Sequence, residues 1–315
     1  MQIIKNKKAL SYIALWFVII VWGLAPLITK FLLGYYSGTA SVLHTSILGF
    51  IFFFLVSIKK LKELNSTYFK VAVTTGIFYS AADILQKVGL QYTTPTRYAF
   101  LENLSCVMVP ILLFFLIKKK PTLLTMSSAF ICLVGAFILS MGSGESGGGI
   151  GIGEILCALA GLCYGVNIAV TGVYAKKLHA SLYLMIQMGV CTLMAAISSA
   201  VFNFATINGD IIEVFKFTFD WKILLLKSAV TLISSSLCWL IRTWSMKRVS
   251  PNVVAVMMPM SSVITAVSSV IIGNDILSAG LVVGGSLGLV ATIMSEFGDK
   301  PLQKKKNSIE LNETV

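Results

Sequence analysis

Residues 9–29 read ALSYIALWFVIIVWGLAPLIT, a run of 21 residues with no charged side chain. A helix rises about 1.5 Å per residue, so this run is long enough to cross the roughly 30 Å hydrocarbon core of a bilayer. The whole chain is also strongly apolar: 57% of its 315 residues are hydrophobic and only 12% are charged. Soluble proteins carry about 25% charged residues. The composition excludes a soluble enzyme, a nucleic-acid-binding module and a secreted disulfide scaffold, and it predicts an integral membrane protein.

Apolar runs of this kind recur along the chain and predict an all-α membrane protein with ten transmembrane helices. We number these predicted spans 1 to 10, at residues 9–29, 38–57, 69–89, 96–117, 122–141, 150–174, 181–203, 221–241, 251–272 and 276–296. Such a chain is a multi-pass protein of the cell (plasma or inner) membrane, with the lipid bilayer as its solvent.

The basic residues are distributed unevenly between the two sides of the predicted bundle. If the N-terminus is cytoplasmic, 19 of the 25 Lys and Arg residues fall on the cytoplasmic side, and Arg242 after span 8 is counted among them. Basic segments stay in the cytoplasm, so the N and C termini are both predicted to be cytoplasmic. The net charge of +12 therefore reflects topology and contact with anionic lipid, and nucleic acid is not expected as a partner.

The two halves of the chain are weakly similar to each other. Trp22-Gly23 in span 1 matches Tyr164-Gly165 in span 6, and Thr94-Pro95 before span 4 matches Ser250-Pro251 before span 9. Five spans per half would place the second copy upside down, as in the inverted-topology repeats of alternating-access transporters. We expect a first five-helix repeat at 9–141, a Gly-rich linker at 142–149, a second five-helix repeat at 150–296 and a basic cytoplasmic tail at 297–315.

Motifs for catalysis or cofactors do not occur in a suitable context. The linker contains a G-x-G-x-x-G pattern at Gly142, Gly144 and Gly147, but apolar helices surround it instead of the βαβ unit that a dinucleotide site requires. The sequence has no P-loop and no H-E-x-x-H motif. We therefore expect no enzymatic activity, no cofactor and no metal.

Two stretches carry a resemblance to a known family. The run GLQYTTPTRYAFLENLSCVMVP at 89–110, with KKKP at 118–121, resembles the span 3–4 region of EamA-type members of the drug/metabolite transporter superfamily. The run MMPMSS at 257–262, followed by GND at 273–275, is similar to the proline-bearing span and acidic turn of the same family. The resemblance implies a transporter whose spans 1, 3, 4, 6, 8 and 9 line a central cavity. Glu102 and Asn103 stand where family members usually carry small or hydroxylated residues.

Ionisable residues inside predicted spans are candidates for function because they are costly there. Glu102 and Asp83 both lie about 9 Å inside the same face of the membrane, by residue count. Asp83 and Lys87 have the i,i+4 spacing of a helix-stabilising ion pair, so a structural role competes with a site role. Glu102 has no base one turn away, and we assign it proton coupling or cation recognition. At the same depth, His44 is interpreted as a packing residue and Lys227 as a snorkelling one.

Deeper polar and aromatic residues complete the predicted substrate-binding or coupling site. They are Asn103, Tyr79, Trp22, Asn167, Ser235 and Trp239. The aromatic rings can stack on a ligand ring or a cation, and simple packing is the alternative for each of them.

These observations favour a secondary active transporter that exports small metabolites or amphipathic compounds by alternating access, with coupling to protons as a hypothesis. The alternatives are a metabolite-for-metabolite exchanger of the same fold and, thirdly, a channel or membrane-embedded sensor. Span 10 carries Gly280, Gly284 and Gly288, a small-residue ladder that predicts close contact with span 5 or with a second protomer of a homodimer.

The charge distribution makes a topology prediction. A reporter fused after Val315 should lie in the cytoplasm, and a cysteine introduced at Asn208 should react with an impermeant thiol reagent added from outside. Accessibility labelling in intact cells measures both positions. The opposite labelling pattern would contradict the assignment of the termini and the inverted-repeat interpretation with it.

Overall fold

The computed structural model describes residues 2–118, 120–142, 151–202, 206–207, 210–211, 220–272, 279–280, 282–288, 290–291 and 293–294. In these ranges the chain is helical, apart from turns and an antiparallel pair of two-residue strands, β1 (Thr206–Ile207) and β2 (Asp210–Ile211). The α-helices are α1 (Gln2–Leu32), α2 (Gly38–Ser57), α3 (Ser66–Gln91), α4 (Pro95–Leu101), α5 (Ser105–Ile117), α6 (Leu123–Gly142), α7 (Ile152–Tyr174), α8 (Ala180–Phe202), α9 (Trp221–Val230), α10 (Cys238–Ser245), α11 (Pro251–Met257) and α12 (Met260–Ile272).

Seven helices in the described part of the chain are long and apolar enough to cross a membrane. They are Ala9–Leu32, Gly38–Glu63, Pro95–Ile117, Ile152–Tyr174, Ala180–Ala200, Trp221–Ser245 and Pro251–Ile272, which correspond to spans 1, 2, 4, 6, 7, 8 and 9. For span 3 the structure has the 26-residue helix α3, which is less apolar, and for span 5 it has the 20-residue helix α6. The helical membrane fold is therefore confirmed, whereas the count of ten spans and the orientation of the termini stay predictions. Most of the linker and all of the C-terminal tail predicted from the sequence lie outside the described residues, as do Val315 and Asn208.

The helix α1 is apolar on its outside as well as its inside. Leu15 and Ile19 are fully buried, whereas Ile13 and Phe17 are 66% and 44% exposed. A soluble helix would place polar side chains on the exposed face, because apolar surface in water is costly. The exposed apolar face of α1 therefore faces lipid.

Spans 4 and 9 begin in the same way and are both interrupted after two turns of helix. Thr94 caps α4 by accepting a hydrogen bond from the Arg97 amide, and Ser250 caps α11 by accepting one from the Val253 amide. In each case the next residue is proline at the first helical position, where its missing N–H costs nothing. Each helix lasts seven residues, after which span 4 continues through a 3₁₀ turn into α5 and span 9 passes Pro259 into α12.

Span 8 is also irregular. Its first segment, α9, passes into a π-helical stretch at Thr231–Leu237 before α10 begins. This stretch contains Ser234, Ser235 and Ser236, and Ser234 Oγ donates a hydrogen bond to the Val230 carbonyl. Serine hydroxyls that bond to their own helix backbone often accompany bends, and π-helical turns are frequent at functional sites.

The glycine ladder of span 10 lies against span 5 of the same chain. A Cβ atom added at Gly135 in α6 would lie 2.8 Å from the Gly284 carbonyl oxygen and 2.9 Å from the Leu287 Cβ. Cys132 of α6 and Ala291 belong to one buried apolar cluster. Of the two partners expected for the ladder, contact with span 5 is thus confirmed.

This close approach predicts that Gly135→Leu lowers the yield of folded protein and its melting temperature in detergent. A side chain at this position has no room, and overpacking of this kind costs about 1–3 kcal/mol or more. Ser286→Leu is the matched control, because Ser286 lies on the exposed face of the opposing segment 282–288. Equal melting temperatures of the two variants would mean that the two helices can move apart without cost.

Candidate functional site

A cavity of about 110 Å³ lies between spans 1, 3, 4, 6, 8 and 9, the six spans that the family resemblance implies. Its lining, in chain order, consists of Trp22, Ala25, Pro26, Thr29, Tyr79, Asp83, Gln86, Lys87, Tyr98, Ala99, Glu102, Asn103, Ser105, Tyr164, Ile168, Ser234, Ser235, Trp239, Arg242, Met258 and Ser261. All three irregular spans contribute to this wall. Of the eight residues predicted for the site, the structure brings seven together here, and Asn167 is the exception.

Four aromatic side chains form one part of the wall. The ring centroid of Trp239 lies 5.5 Å from that of Trp22, 4.8 Å from that of Tyr79 and 6.1 Å from that of Tyr164. The indole Nε1 of Trp22 donates a hydrogen bond of 2.8 Å to the Ser234 carbonyl, which fixes the ring against the irregular part of span 8. Ring separations of this size are typical of tilted and edge-to-face pairs, so these aromatic residues support one another as an apolar surface.

Glu102 lies where span 4 leaves α-helical geometry, at the start of the 3₁₀ turn between α4 and α5. The Gln86 amide Nε2 donates a hydrogen bond of 2.7 Å to Glu102 Oε2. The Tyr164 hydroxyl in turn donates one of 2.8 Å to Gln86 Oε1. One chain of hydrogen bonds therefore joins spans 3, 4 and 6 at the cavity, and the partner that Glu102 finds across the helices is a neutral amide.

Asp83 and Lys87 form the ion pair that their spacing predicts. Lys87 Nζ lies 2.9 Å from Asp83 Oδ2, and both side chains are more than 90% buried. Because both residues line the cavity as well, the structural and the site interpretation are compatible. Their charges compensate each other within span 3.

Arg242 corrects the sequence interpretation, which counted it in a cytoplasmic segment. It is 2% exposed, belongs to α10 and lines the cavity. Its guanidinium carbon lies 4.3 Å from the ring centroid of Trp239 and 5.9 Å from that of Trp22. The sequence contained the signal, because Arg242 follows Trp239 by three residues and so shares its helix face. The sequence interpretation instead assigned Arg242 to a cytoplasmic segment, because the residue directly follows the predicted end of span 8.

Asn103 joins the two interrupted spans to each other. Its Nδ2 donates a hydrogen bond of 3.2 Å to Ser262 Oγ in span 9, and Ser262 Oγ donates one of 2.6 Å to the Ala99 carbonyl in span 4. Ser235 lines the cavity from the π-helical stretch of span 8. Asn167, in contrast, is fully buried away from the cavity and donates to the Thr75 carbonyl at 3.3 Å. Its side chain lies toward span 3, a direction that only the helix–helix arrangement determines.

His44 and Lys227 lie outside the cavity lining. Lys227 Nζ donates hydrogen bonds to Ser41 Oγ at 2.7 Å and to Thr45 Oγ1 at 3.2 Å, and the residue is 5% exposed. The expectation that Lys227 snorkels outward is therefore wrong, because two hydroxyls of span 2 accept its hydrogen bonds inside the bundle. His44 Nε2 lies 3.4 Å from Ser228 Oγ in the same interface between spans 2 and 8.

The site is equipped for binding polar and aromatic groups. Within the described ranges no group of three or more His, Cys, Asp and Glu side chains could hold a metal ion. The wall instead combines a carboxyl with a neutral partner, an internally compensated ion pair, a buried arginine and four aromatic rings. A largely apolar concave site with a few placed polar groups is typical of small-molecule recognition.

Comparison with known proteins gives a family match for the first half of the chain. Residues 9–141 match the EamA-like transporter family. An uncharacterized transporter of Archaeoglobus fulgidus is 24% identical to this chain over 242 residues, which are 77% of this chain and 73% of the other. The chain also shares its fold with a solved crystal structure at a TM-score of 0.71, with 14% identity and coverage of 93% of this chain and 99% of that chain.

The match of residues 9–141 to this family and the similarity to a transporter confirm the resemblance to the EamA-type drug/metabolite transporters. The protein is accordingly a multi-pass membrane transporter of the cell membrane. The cavity between six of its spans is the place where such a protein can hold a small molecule.

A glycine of span 6 controls how closely span 4 approaches the cavity. A Cβ atom added at Gly161 would lie 2.6 Å from the Leu101 carbonyl oxygen and 2.9 Å from the Glu102 carbonyl oxygen.

Gly161→Ala should therefore displace the turn that carries Glu102 and lower the transport rate at least several-fold, with a loss of stability of about 1–3 kcal/mol. In Gly189→Ala the new methyl group would meet only ordinary contacts with Phe50 at 3.4 Å, so this variant should behave as wild type. Transport in proteoliposomes and melting temperatures measure both effects, and a fully active Gly161→Ala protein would contradict the assigned role of this turn.

Proposed function

We propose that this transporter is a secondary carrier that exports small metabolites or amphipathic compounds by alternating access, with proton coupling through Glu102. The carrier holds its substrate in the cavity between the halves 9–141 and 150–296. The two halves then rock against each other and open the cavity alternately to the two sides of the membrane.

The observation that carries this proposal is the meeting of two spans at the cavity, each with an irregular turn after its first seven helical residues. Irregular turns within a helix are frequent at functional sites, and the substrate sites of many secondary transporters lie between two related halves near the middle of the membrane. Here the breaks after α4 and α11 are joined through Asn103 and Ser262 at 3.2 Å, and Glu102 and Met258 beside them line the cavity. Both breaks occur after seven helical residues.

Two close helix contacts support the idea that the halves are related copies. A Cβ atom at Gly23 in span 1 would meet Ile264 Cβ of span 9 at 2.6 Å, and one at Gly165 in span 6 would meet Met108 Cβ of span 4 at 2.8 Å. The two glycines are 142 residues apart, and Met108 and Ile264 are 156 apart, the same offset as the prolines that open α4 and α11. In each half, a glycine of the first span therefore contacts the fourth span of the other half, at equivalent positions.

The size of the cavity supports a mechanism with a conformational change. Sites for drug-sized ligands measure roughly 300–1,000 Å³, whereas the cavity here measures about 110 Å³. This conformation has room only for a small molecule. Binding of a larger compound requires the surrounding spans to separate, and alternating access supplies such a movement.

Glu102 is the group best placed for proton coupling. It lies on the cavity wall, accepts a hydrogen bond from neutral Gln86, and has no Lys, Arg or His within 4 Å among the described residues. The carboxyl of Asp83, by comparison, is engaged by Lys87. A carboxyl free of a fixed cation can take up a proton in one access state and release it in the other.

The alternatives make different demands on the same site. A metabolite-for-metabolite exchanger needs no titrating carboxyl, so it would not depend on the ionisation of Glu102. A channel would require a continuous polar path, whereas the aromatic group around Trp239 adjoins the polar residues here. Saturable flux with counterflow in proteoliposomes distinguishes a carrier from a channel or sensor.

The central test is Glu102→Gln, which keeps the shape of the side chain and removes its ability to ionise. If Glu102 couples transport to protons, the variant should lose proton-driven accumulation completely while it still performs substrate exchange. If Glu102 recognises a cationic substrate instead, binding should fall as well. Accumulation and counterflow in proteoliposomes with an imposed pH gradient measure the two activities.

Glu63→Gln is the matched control for this test. Glu63 Oε2 lies 2.9 Å from His179 Nε2, and both side chains are about half exposed, away from the cavity. This variant should accumulate substrate as wild type does. Wild-type accumulation in Glu102→Gln would eliminate both functional roles and leave Glu102 as a structural hydrogen-bonding group.

A further inference from the structure

Arg242 is a buried cation without a carboxylate partner. It is 2% exposed, and no Asp or Glu lies within ion-pair distance of it in the described part of the chain. The two carboxyl groups on the same cavity wall have other partners, since Asp83 binds Lys87 and Glu102 accepts from Gln86. Burying a charge is costly unless it is paired. Glu102 shares the cavity wall with Arg242 but does not contact it, so an arginine without a carboxylate in contact requires an explanation here.

The aromatic residues hold the guanidinium but do not use its hydrogen-bonding edge. The guanidinium lies 4.3 Å from the Trp239 ring centroid, a cation–π contact that engages its flat face. Nε and Nη2, the two nitrogens on its outer edge, have no hydrogen-bond partner in the described structure. These two N–H groups form the parallel fork that fits both oxygens of a carboxylate.

The position of this fork points to the substrate. Arg242 lines the same cavity as Glu102 and the aromatic group of Trp22, Tyr79 and Trp239. Its Nε and Nη2 are shielded from solvent in this conformation, so a ligand reaches them when the cavity widens during the transport cycle. A ligand with an anionic head and a small apolar body would satisfy the fork and contact the rings.

We propose that Arg242 binds the carboxylate of the transported substrate, so that small organic carboxylates are the substrate class of this carrier. The proposal rests on the transport function proposed above and adds its chemistry. The carboxylate can belong to a simple organic acid or to an amino acid, whose ammonium group would then approach Glu102 on the same wall. Both substrates share the bidentate contact with Arg242.

The test measures ligand binding to the purified full chain in detergent, by thermal shift and by tryptophan fluorescence. The probes are propionate and benzoate, their isosteric amides propionamide and benzamide, and the amino acids alanine and phenylglycine. At least one carboxylate should stabilise the wild-type protein, and its amide should not, because a ligand stabilises the state that it binds. Stabilisation by the amino acids alone identifies a zwitterionic substrate, and stabilisation by the simple acids identifies an organic acid.

Substitutions of Arg242 connect this binding to the fork. Arg242→Gln should weaken carboxylate binding roughly 10- to 100-fold, the size expected for lost hydrogen bonds to a charged group. Arg242→Lys keeps the charge without the fork and should bind with intermediate affinity. Arg248→Gln is the matched control, because Arg248 also lies over a tryptophan, at 4.5 Å from the Trp244 ring centroid, but is not part of the cavity wall.

The stability of the unliganded variant distinguishes binding from a structural role. If Arg242 serves ligand binding, Arg242→Gln without ligand should be at least as stable as wild type, because it removes an unpaired buried charge. A lower melting temperature together with unchanged ligand affinity would overturn the proposal.

Two further results would also overturn it: equal responses of the wild type to carboxylates and their amides, or no response to any carboxylate. The outcome is separable from that of the transport proposal. Carboxylate binding without carrier-type flux contradicts the proposed function alone, and carrier-type flux of uncharged compounds without carboxylate binding contradicts this inference alone.

Discussion

A chain that crosses lipid can interrupt its helical hydrogen bonds only where protein or a cavity surrounds the freed backbone groups. This constraint organises the whole molecule. Spans 4, 8 and 9 depart from α geometry, and residues at or beside each departure, Glu102, Ser235 and Met258, line one cavity. The remaining lining comes from spans 1, 3 and 6. Gly23 of span 1 allows span 9 to approach closely, and Gly161 and Gly165 of span 6 do the same for span 4. The irregular turns of three spans thus meet at one cavity.

The ionisable residues of the cavity wall are of two kinds: two of them form a contact ion pair, and the other two have no oppositely charged side chain in contact. Asp83 and Lys87 neutralise each other across one helical turn at 2.9 Å, whereas Glu102 has a neutral partner and Arg242 has aromatic ones. In a region of low dielectric, unpaired groups interact strongly with whatever enters, because water does not screen them. A proton at the carboxyl and an anionic group at the guanidinium are the two ligands that this arrangement would hold best.

Several features of the site could be predicted from the sequence because they depend on short distances along the chain. The Asp83–Lys87 pair follows from i,i+4 spacing, and the Thr94-Pro95 and Ser250-Pro251 starts of α4 and α11 follow from capping preferences. Other features depend on which helix faces which. Asn167 lies toward Thr75 instead of the cavity, and Lys227 is satisfied by hydroxyls of span 2. Neither arrangement leaves a trace in local spacing.

By itself, the sequence determined the class of protein, the resemblance to EamA-type transporters and seven helices long and apolar enough to cross a membrane, since these depend on composition, motif and apolar length. Only the tertiary structure decided which polar groups share the cavity and which of them lack a partner. Arg242 shows the difference most clearly: counted by position it belongs to a basic loop, but α10 continues past it and turns it onto the face of Trp239. Charge counting averages over a segment, whereas the partner of a buried charge depends on the direction of one side chain among several packed helices.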